Sequence, residues 1–183
     1  IGVGEALKIV FAITAIAVVA LLAFVFGMIP HFDAANLFNI TPAVEGGSSL
    51  FPYGLTGVIA ALPFGIWLFL AIEGVPLAAE ESSNPKKDMP RGIIGAMLFL
   101  VVTGTLVLVL TAGGAGAEFA GNAAAPLVDA LNYVGESNIA TFVNYVGLTG
   151  LIASFFSTVF SGSRQAFALS RAGYLPKFLS VTG

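Results

Sequence analysis

Four stretches of the chain, 9–29, 55–72, 92–117 and 139–163, carry hydrophobic residues without a charge, and the polar residues gather between them. Each stretch is long enough to cross a hydrocarbon core of about 30 Å as an α-helix. The second differs from the others because it continues past Glu73 to about residue 83, interrupted by Glu73, Gly74 and Pro76. The pattern predicts four spans, at about 9–29, 55–83 with a break near 71–76, 92–117 and 139–163. Between the last two, Leu127, Val128, Leu131 and Val134 recur at helical spacing. That spacing predicts an amphipathic helix over about 123–134, lying on the membrane face rather than crossing it.

The interruption organises the rest. Hydrocarbon tolerates a spanning helix because the helix satisfies its own backbone groups. Pro76 has no N–H for the carbonyl of Ile72 and clashes with it, and Gly74 lowers the cost of leaving helical geometry. The carbonyls from Trp67 to Ile72 are therefore expected to lose helical partners. Such backbone persists at membrane depth only where it is buried in protein or lines a cavity, so the break is the candidate binding site. The half-helix before it directs carbonyls and a partial negative charge at that cavity, which suits an ammonium group. Glu73 is the one ionisable residue well inside a span, and such residues mark ion or substrate pathways, the alternative being a protonated carboxyl bonded to a neighbouring helix. Glu80 and Glu81 lie nearer the membrane surface and read as a solvated face.

Composition agrees with the pattern. Of 183 residues, 57% are hydrophobic and 9% charged, and the mean hydropathy is +0.97; a water-soluble globular domain is excluded and an all-α integral membrane fold is expected. With no cysteine and one histidine, His31, neither thiolate chemistry nor a metal centre is expected, and no cofactor or nucleic-acid partner either. The chain opens on Ile1 with no signal-like segment before the first apolar run, and reads as an interior piece of a longer protein.

The charges are segregated. Lys8 precedes the first span, Lys86, Lys87 and Arg91 lie between the second and third, and Arg164, Arg171 and Lys177 come after the fourth. By the positive-inside rule these segments are cytoplasmic, in a multi-pass protein of the cell (inner) membrane. The opposite loops, 30–54 and 118–138, carry Asp33, Glu45, Glu118, Asp129 and Glu136 and no Lys or Arg.

Smaller signals fill in the spans. Thr14 is expected to bond back to its own helix, and the loop 31–54, rich in Asn, Gly, Ser and Pro, to be irregular. Gly57, Ala61 and Gly65 form a stripe of small residues that would let a neighbouring helix approach. Residues 82–90 read as a tight turn, with Asn84 and Asp88 as caps and Pro90 near the start of the next helix. Ser154, Ser157, Thr158 and Ser161 stand at i, i+3, i+4 and i+7, one hydroxyl stripe on the fourth span. Either it hydrogen-bonds neighbouring helices, at about 0.6 kcal/mol per contact, or it lines a translocation path.

Two longer motifs carry a family resemblance. Trp67-Leu-Phe-Leu-Ala-Ile-Glu-Gly-Val-Pro-Leu-Ala-Ala-Glu-Glu-Ser-Ser-Asn-Pro-Lys-Lys-Asp-Met-Pro90 resembles the broken sixth helix of the amino acid-polyamine-organocation transporters and the Asn-Pro turn after it. Ser163-Arg-Gln-Ala-Phe-Ala-Leu-Ser-Arg-Ala-Gly-Tyr-Leu-Pro176 is similar to the loop after their eighth helix. Across the whole chain the resemblance implies helices five to eight of a fold built from two inverted five-helix repeats. Within that group, 66–75 with Glu80-Glu81, and 170–176, look most like ethanolamine permeases. The resemblance implies that carbonyls at the break, here from Trp67 and Leu70 through Ala71 to Ile72, hold the substrate amine. It further implies that Trp67 closes over the substrate, that Thr158 borders the pocket, and that Glu73 matches a carboxylate tied to proton-linked transport. Many proton-coupled members carry a lysine in mid fifth helix; here Ala15-Ile16-Ala17 stands there, and Lys8 lies nearer the cytoplasm.

The function expected is thus a segment of a secondary transporter for a small amine, ethanolamine in the finer reading, by alternating access with proton coupling or exchange. Its partners would be the substrate, the bilayer and the remaining helices of the same transporter. An amino acid permease is the alternative within the group, and a scaffold subunit without substrate the alternative outside it. An enzyme using Glu73 is not expected, because no His, Cys or second intramembrane carboxylate is present to partner it.

Overall fold

A computed structural model describes residues 3–70, 72, 74–77, 79 and 82–180. In chain order these form α1 (Val3–Met28), 3-10 turns at Ile29–His31 and Ala34–Phe38, α2 (Gly54–Leu68), α3 (Gly74–Leu77) and α4 (Pro85–Ala115). After these come α5 (Ala117–Asn122), α6 (Pro126–Tyr133), α7 (Ser137–Arg171) and a 3-10 turn at Lys177–Ser180. No strand occurs among the described residues. Among the described residues three helices are long and apolar enough to cross a membrane, lying within Lys8–His31, Pro85–Ala115 and Ser137–Arg171. The 15 residues of α2 are apolar as well, but at 1.5 Å per residue they reach only about 22 Å. That is short of the core, so α2 by itself does not reach across it.

Helices outlast the apolar runs at the charged end. α4 begins at Pro85, which leaves the expected turn over 82–90 confined to the residues before it. Asn84 occupies the N-cap position without a side-chain cap bond; Asp88 does the capping instead. Its Oδ2 accepts from the backbone N–H of Asn84 at 3.2 Å and from Ser82 Oγ at 2.6 Å. α7 likewise runs through most of 163–176, where a loop is expected. Arg164 and Arg171 lie over the rings of Phe160 and Phe167, 5.2 and 5.8 Å from the centroids, and such i, i+4 pairs favour continued helix. The stop comes at Gly173, φ +87°. There the N–H groups of Tyr174 and Gly173 donate to the carbonyls of Leu169 and Ser170 in a left-handed C-cap, and Ser170 Oγ donates to the Pro176 carbonyl at 2.7 Å.

The core sits at the opposite end. Phe24 and Met28 of α1 are fully buried with Ala130 and Leu131 of α6, and Ala20 of α1, Leu110 and Ala115 of α4 and Ala140, Val143 and Val146 of α7 belong to the same cluster. The last turns of α1 and α4 therefore meet the first turn of α7, so α1 and α4 run one way and α7 the other. All seven basic residues fall toward the end away from this core. Thr14 Oγ1 donates to the Val10 carbonyl at 2.8 Å, within its own helix.

The segment after α1, expected to be irregular throughout, is partly ordered by the end of α4. Asp33 Oδ1 caps the 3-10 turn through the Ala35 N–H at 2.9 Å. The Asp33 N–H and Asn36 Nδ2 both donate to the Gly113 carbonyl, at 3.0 and 2.9 Å, and the Glu118 N–H donates to Asn39 Oδ1 at 3.2 Å. His31 Nε2 stands 3.9 Å from Glu136 Oε1, a surface pair that contributes little. The small-residue stripe on α2 meets no neighbour of this kind: Ala61 and Gly65 are exposed, and a methyl group at Gly65 would touch nothing within 4 Å.

Candidate functional site

The break lies where α2 ends and α3 begins. α2 stops at Leu68, and the N–H groups of Phe69 and Leu70 turn back to the carbonyls of Ile66 and Trp67 at 3.1 and 3.2 Å. The Ile72 N–H reaches the Phe69 carbonyl at 3.5 Å, and the Val75 N–H takes the Ile72 carbonyl at 3.1 Å. These are i to i+3 bonds, the tighter and poorer geometry of a 3-10 turn. These bonds amend the expectation that the carbonyls from Trp67 to Ile72 lose helical partners: among the described residues, the carbonyls of Trp67, Phe69 and Ile72 accept 3-10 bonds. Val75 supplies the bond to Ile72 that Pro76 cannot. A carbonyl so engaged keeps a second lone pair, and the C-terminus of a 15-residue helix adds partial negative charge at the same place. The segment can therefore still accept hydrogen bonds from an ammonium group.

Small residues seat the restart. A methyl group on Gly74 would stand 3.4 Å from Ser161 Oγ of α7, and one on Gly92 of α4 would stand 3.4 Å from Val75 Cγ1. α3 thus passes between the first turns of α4 and the inner part of α7. Just before the break, Leu68 packs on Gly104, whose added methyl would come within 3.2 Å of Leu68 Cδ2. Gly74→Ala should leave the full-length protein's melting temperature unchanged, because 3.4 Å is ordinary contact. Gly74→Val should lower it by an overpacking cost of about 1–3 kcal/mol. Equal melting temperatures for the two variants would show that α3 does not pack so closely on α7.

The remaining sequence-derived residues are not gathered into one pocket. Trp67, the only tryptophan, is 75% exposed and Leu70 is 59% exposed, while Ile72 is half-buried and Pro76 exposed. Ala71 and Glu73 lie outside the described residues, as do Glu80 and Glu81. On α7, Ser154, Ser157 and Thr158 are exposed and Ser161 is half-buried. Thr158 Oγ1 donates to the Ser154 carbonyl of its own helix at 2.9 Å. Of the hydroxyl stripe, Ser161 stands beside the restart at Gly74. Gly92 and Gly104 went unnoticed in the sequence; their signal was the break itself, which has to be flanked by residues small enough to let it in. Two grooves occur elsewhere. One is apolar, between Ile13 and Ile16 of α1 and Phe142, Tyr145 and Thr149 of α7; the other lies between α5 and α6. Neither is lined by Trp67, Leu70, Ile72 or Thr158.

Comparison with known proteins fits this arrangement to a family. The amino acid permease family profile matches residues 1–183. An uncharacterized transporter of Rhizobium meliloti is 32% identical over 98% of this chain and 38% of its own length. The branched-chain amino acid permease of Lactococcus lactis is 30% identical over 97% of this chain and 38% of its own. The D-serine/D-alanine/glycine transporter of Escherichia coli K12 is 31% identical over 78% of this chain and 29% of its own. The chain thus spans less than two-fifths of the length of these curated relatives. No solved structure matches it. Apolar spanning helices, an interrupted run and a profile match from end to end lead to one assignment: this chain belongs to the amino acid permease family of membrane transporters.

Proposed function

We propose that the chain forms part of a secondary transporter that moves a small primary amine by alternating access, and that the amine is held at the break between α2 and α3. The observation that supports this reading is the end of an apolar helix at Leu68, short of the restart at Gly74, where the carbonyls of Ile66, Trp67, Phe69 and Ile72 accept 3-10 bonds. A substrate ammonium donates to the carbonyls of Trp67, Leu70, Ala71 and Ile72. Trp67 covers it, and Glu73 balances its charge or carries the coupled proton. Thr158 borders the site, and Ser154, Ser157 and Ser161 line the path beyond. The basic residues Lys8, Lys86, Lys87, Arg91, Arg164, Arg171 and Lys177 face the cytoplasm. The motifs at 66–75 and 170–176 support ethanolamine as the substrate. A second reading, an amino acid substrate, is favoured by the names of the relatives in Lactococcus lactis and Escherichia coli.

Uptake by the full-length protein in proteoliposomes tests both. Labelled ethanolamine should accumulate, driven by a pH gradient or by exchange, and unlabelled ethanolamine should compete better than leucine or D-serine. Trp67→Ala should reduce uptake by about tenfold, a loss of about 1.4 kcal/mol, and Glu73→Gln should abolish the response to the gradient. Parent-level uptake in the double variant would overturn the assignment of these residues. Competition by amino acids alone would move the substrate to the second reading.

A further inference from the structure

The groove between α5 and α6 is not lined by the residues of the break, and it lies at the end of the molecule opposite every Lys and Arg. It is an open groove of about 590 Å³, lined by Phe119 and Asn122 of α5, by Asp129, Asn132 and Tyr133 of α6, and by the short link between the two helices. Helical spacing places these groups together: Asp129, Asn132 and Tyr133 stand at i, i+3 and i+4 on one face of α6, and Phe119 and Asn122 at i and i+3 on α5. The rings of Phe119 and Tyr133 meet at 4.9 Å between centroids with a 40° tilt, and Tyr133 remains 64% exposed. Asp129 Oδ2 accepts from the Ala125 N–H at 2.9 Å, which fixes the carboxylate and leaves its other oxygen for a ligand. Asn122 Nδ2 donates to the Glu118 carbonyl at 2.9 Å, which leaves its own carbonyl oxygen able to accept.

We propose that this groove is a second binding site, for a small organic ammonium ion, on the face opposite the basic residues. One carboxylate, two aromatic rings and two carboxamides, with no Lys or Arg among the lining residues, suit a cation on nitrogen and disfavour an anion. Ring faces attract such a cation within about 6 Å of their centroids. Glu118 of α5, Glu136 and Asp33 lie at the same end with no Lys or Arg, His31 standing 3.9 Å from Glu136, so the local field draws cations in. As a first contact for cargo the groove would raise the concentration of amine at the mouth of the path, and that role alone rests on the proposed function.

The test uses tetramethylammonium with the full-length protein in maltoside micelles, read as saturation transfer from protein to the probe's methyl protons. The wild type should give a signal that Asp129→Asn and Tyr133→Ala each reduce about three- to tenfold, the range of a partly exposed cation–π or charge contact. Tyr133→Phe, which keeps the ring, should retain it. Asp129→Asn keeps an oxygen for the Ala125 N–H, so its loss of signal is not a loss of fold. No signal in the wild type, an undiminished signal in Asp129→Asn, or a signal that only Trp67→Ala removes would overturn the site. Because the probe is read without transport, failure of ethanolamine uptake would count against the proposed function and leave this measurement standing, and the reverse holds as well.

Discussion

Gly116→Ala should destabilise the full-length protein by about 1–3 kcal/mol from backbone strain alone. Gly116 joins α4 to α5 with φ +99° and ψ 141°, a region that a residue with a Cβ rarely enters. An added methyl would also come within 2.6 Å of Asn39 Nδ2. Moving Asn39 aside removes the acceptor of the Glu118 N–H, a further loss of about 1 kcal/mol. Gly121, in α5, supplies the contrast. Its φ is not positive and no atom lies within 4 Å of the added methyl, so Gly121→Ala should raise stability by about 0.5–1 kcal/mol through helix propensity. Unfolding of both variants in bicelles by added dodecyl sulfate gives the two signs. A neutral Gly116→Ala would mean that the α4–α5 joint relaxes to ordinary backbone angles.

The joint also shows where sequence reasoning reaches its limit. Hydropathy locates lipid, and in this chain it located the long helices; it says nothing about where a helix ends in water. Lys86, Lys87 and Arg91 end an apolar run but are sound helix formers, so α4 starts at Pro85, and α7 passes Gly162 and Arg164 to stop only at Gly173. The interruption at Gly74 and Pro76 was legible because it rests on local chemistry, a missing N–H and a missing Cβ. What replaces the lost bonds was not, because the 3-10 turn through Phe69, Leu70 and Ile72 depends on how the chain is steered past α4 and α7. Gly113 and Gly116 fall near the end of the apolar run 92–117, and nothing in their neighbours marks them further. Their role depends on Phe32, Asn36 and Asn39, far away in the chain; Asn36 and Gly113 are 77 residues apart, and no local pattern announces a contact at that separation.

The hydroxyl stripe illustrates the same limit from the other side. Periodicity placed Ser154, Ser157, Thr158 and Ser161 on one face, but not what that face meets. Ser161 meets the restart at Gly74, and Thr158 satisfies its hydroxyl on its own helix. Packing in this chain is concentrated at the end away from the basic residues, while α2 is exposed along most of its length. The stripe and α2 thus belong to the loosely packed part of the chain, and the break lies between them.

Phe24→Ala should also destabilise the protein strongly, and the size of the effect reports what holds the packed end together. Phe24 is fully buried, whereas Phe26, two residues along the same helix, is 70% exposed. In a soluble core, removing such a ring costs about 3–5 kcal/mol, part transfer and part cavity. In a bilayer the transfer part largely cancels, because a phenylalanine released from its neighbours stays in hydrocarbon. What remains is the cavity and the lost dispersion contacts with Met28, Leu131 and Ala140, so the expected loss falls toward the lower end of that range, about 3 kcal/mol. Phe26→Ala should change stability by less than about 0.5 kcal/mol. Unfolding of the two variants in bicelles by dodecyl sulfate measures both. A loss of about 5 kcal/mol at Phe24 would mean that this end is shielded from lipid as a soluble core is from water. Equal small effects at both positions would mean that α1 does not dock on α6 and α7.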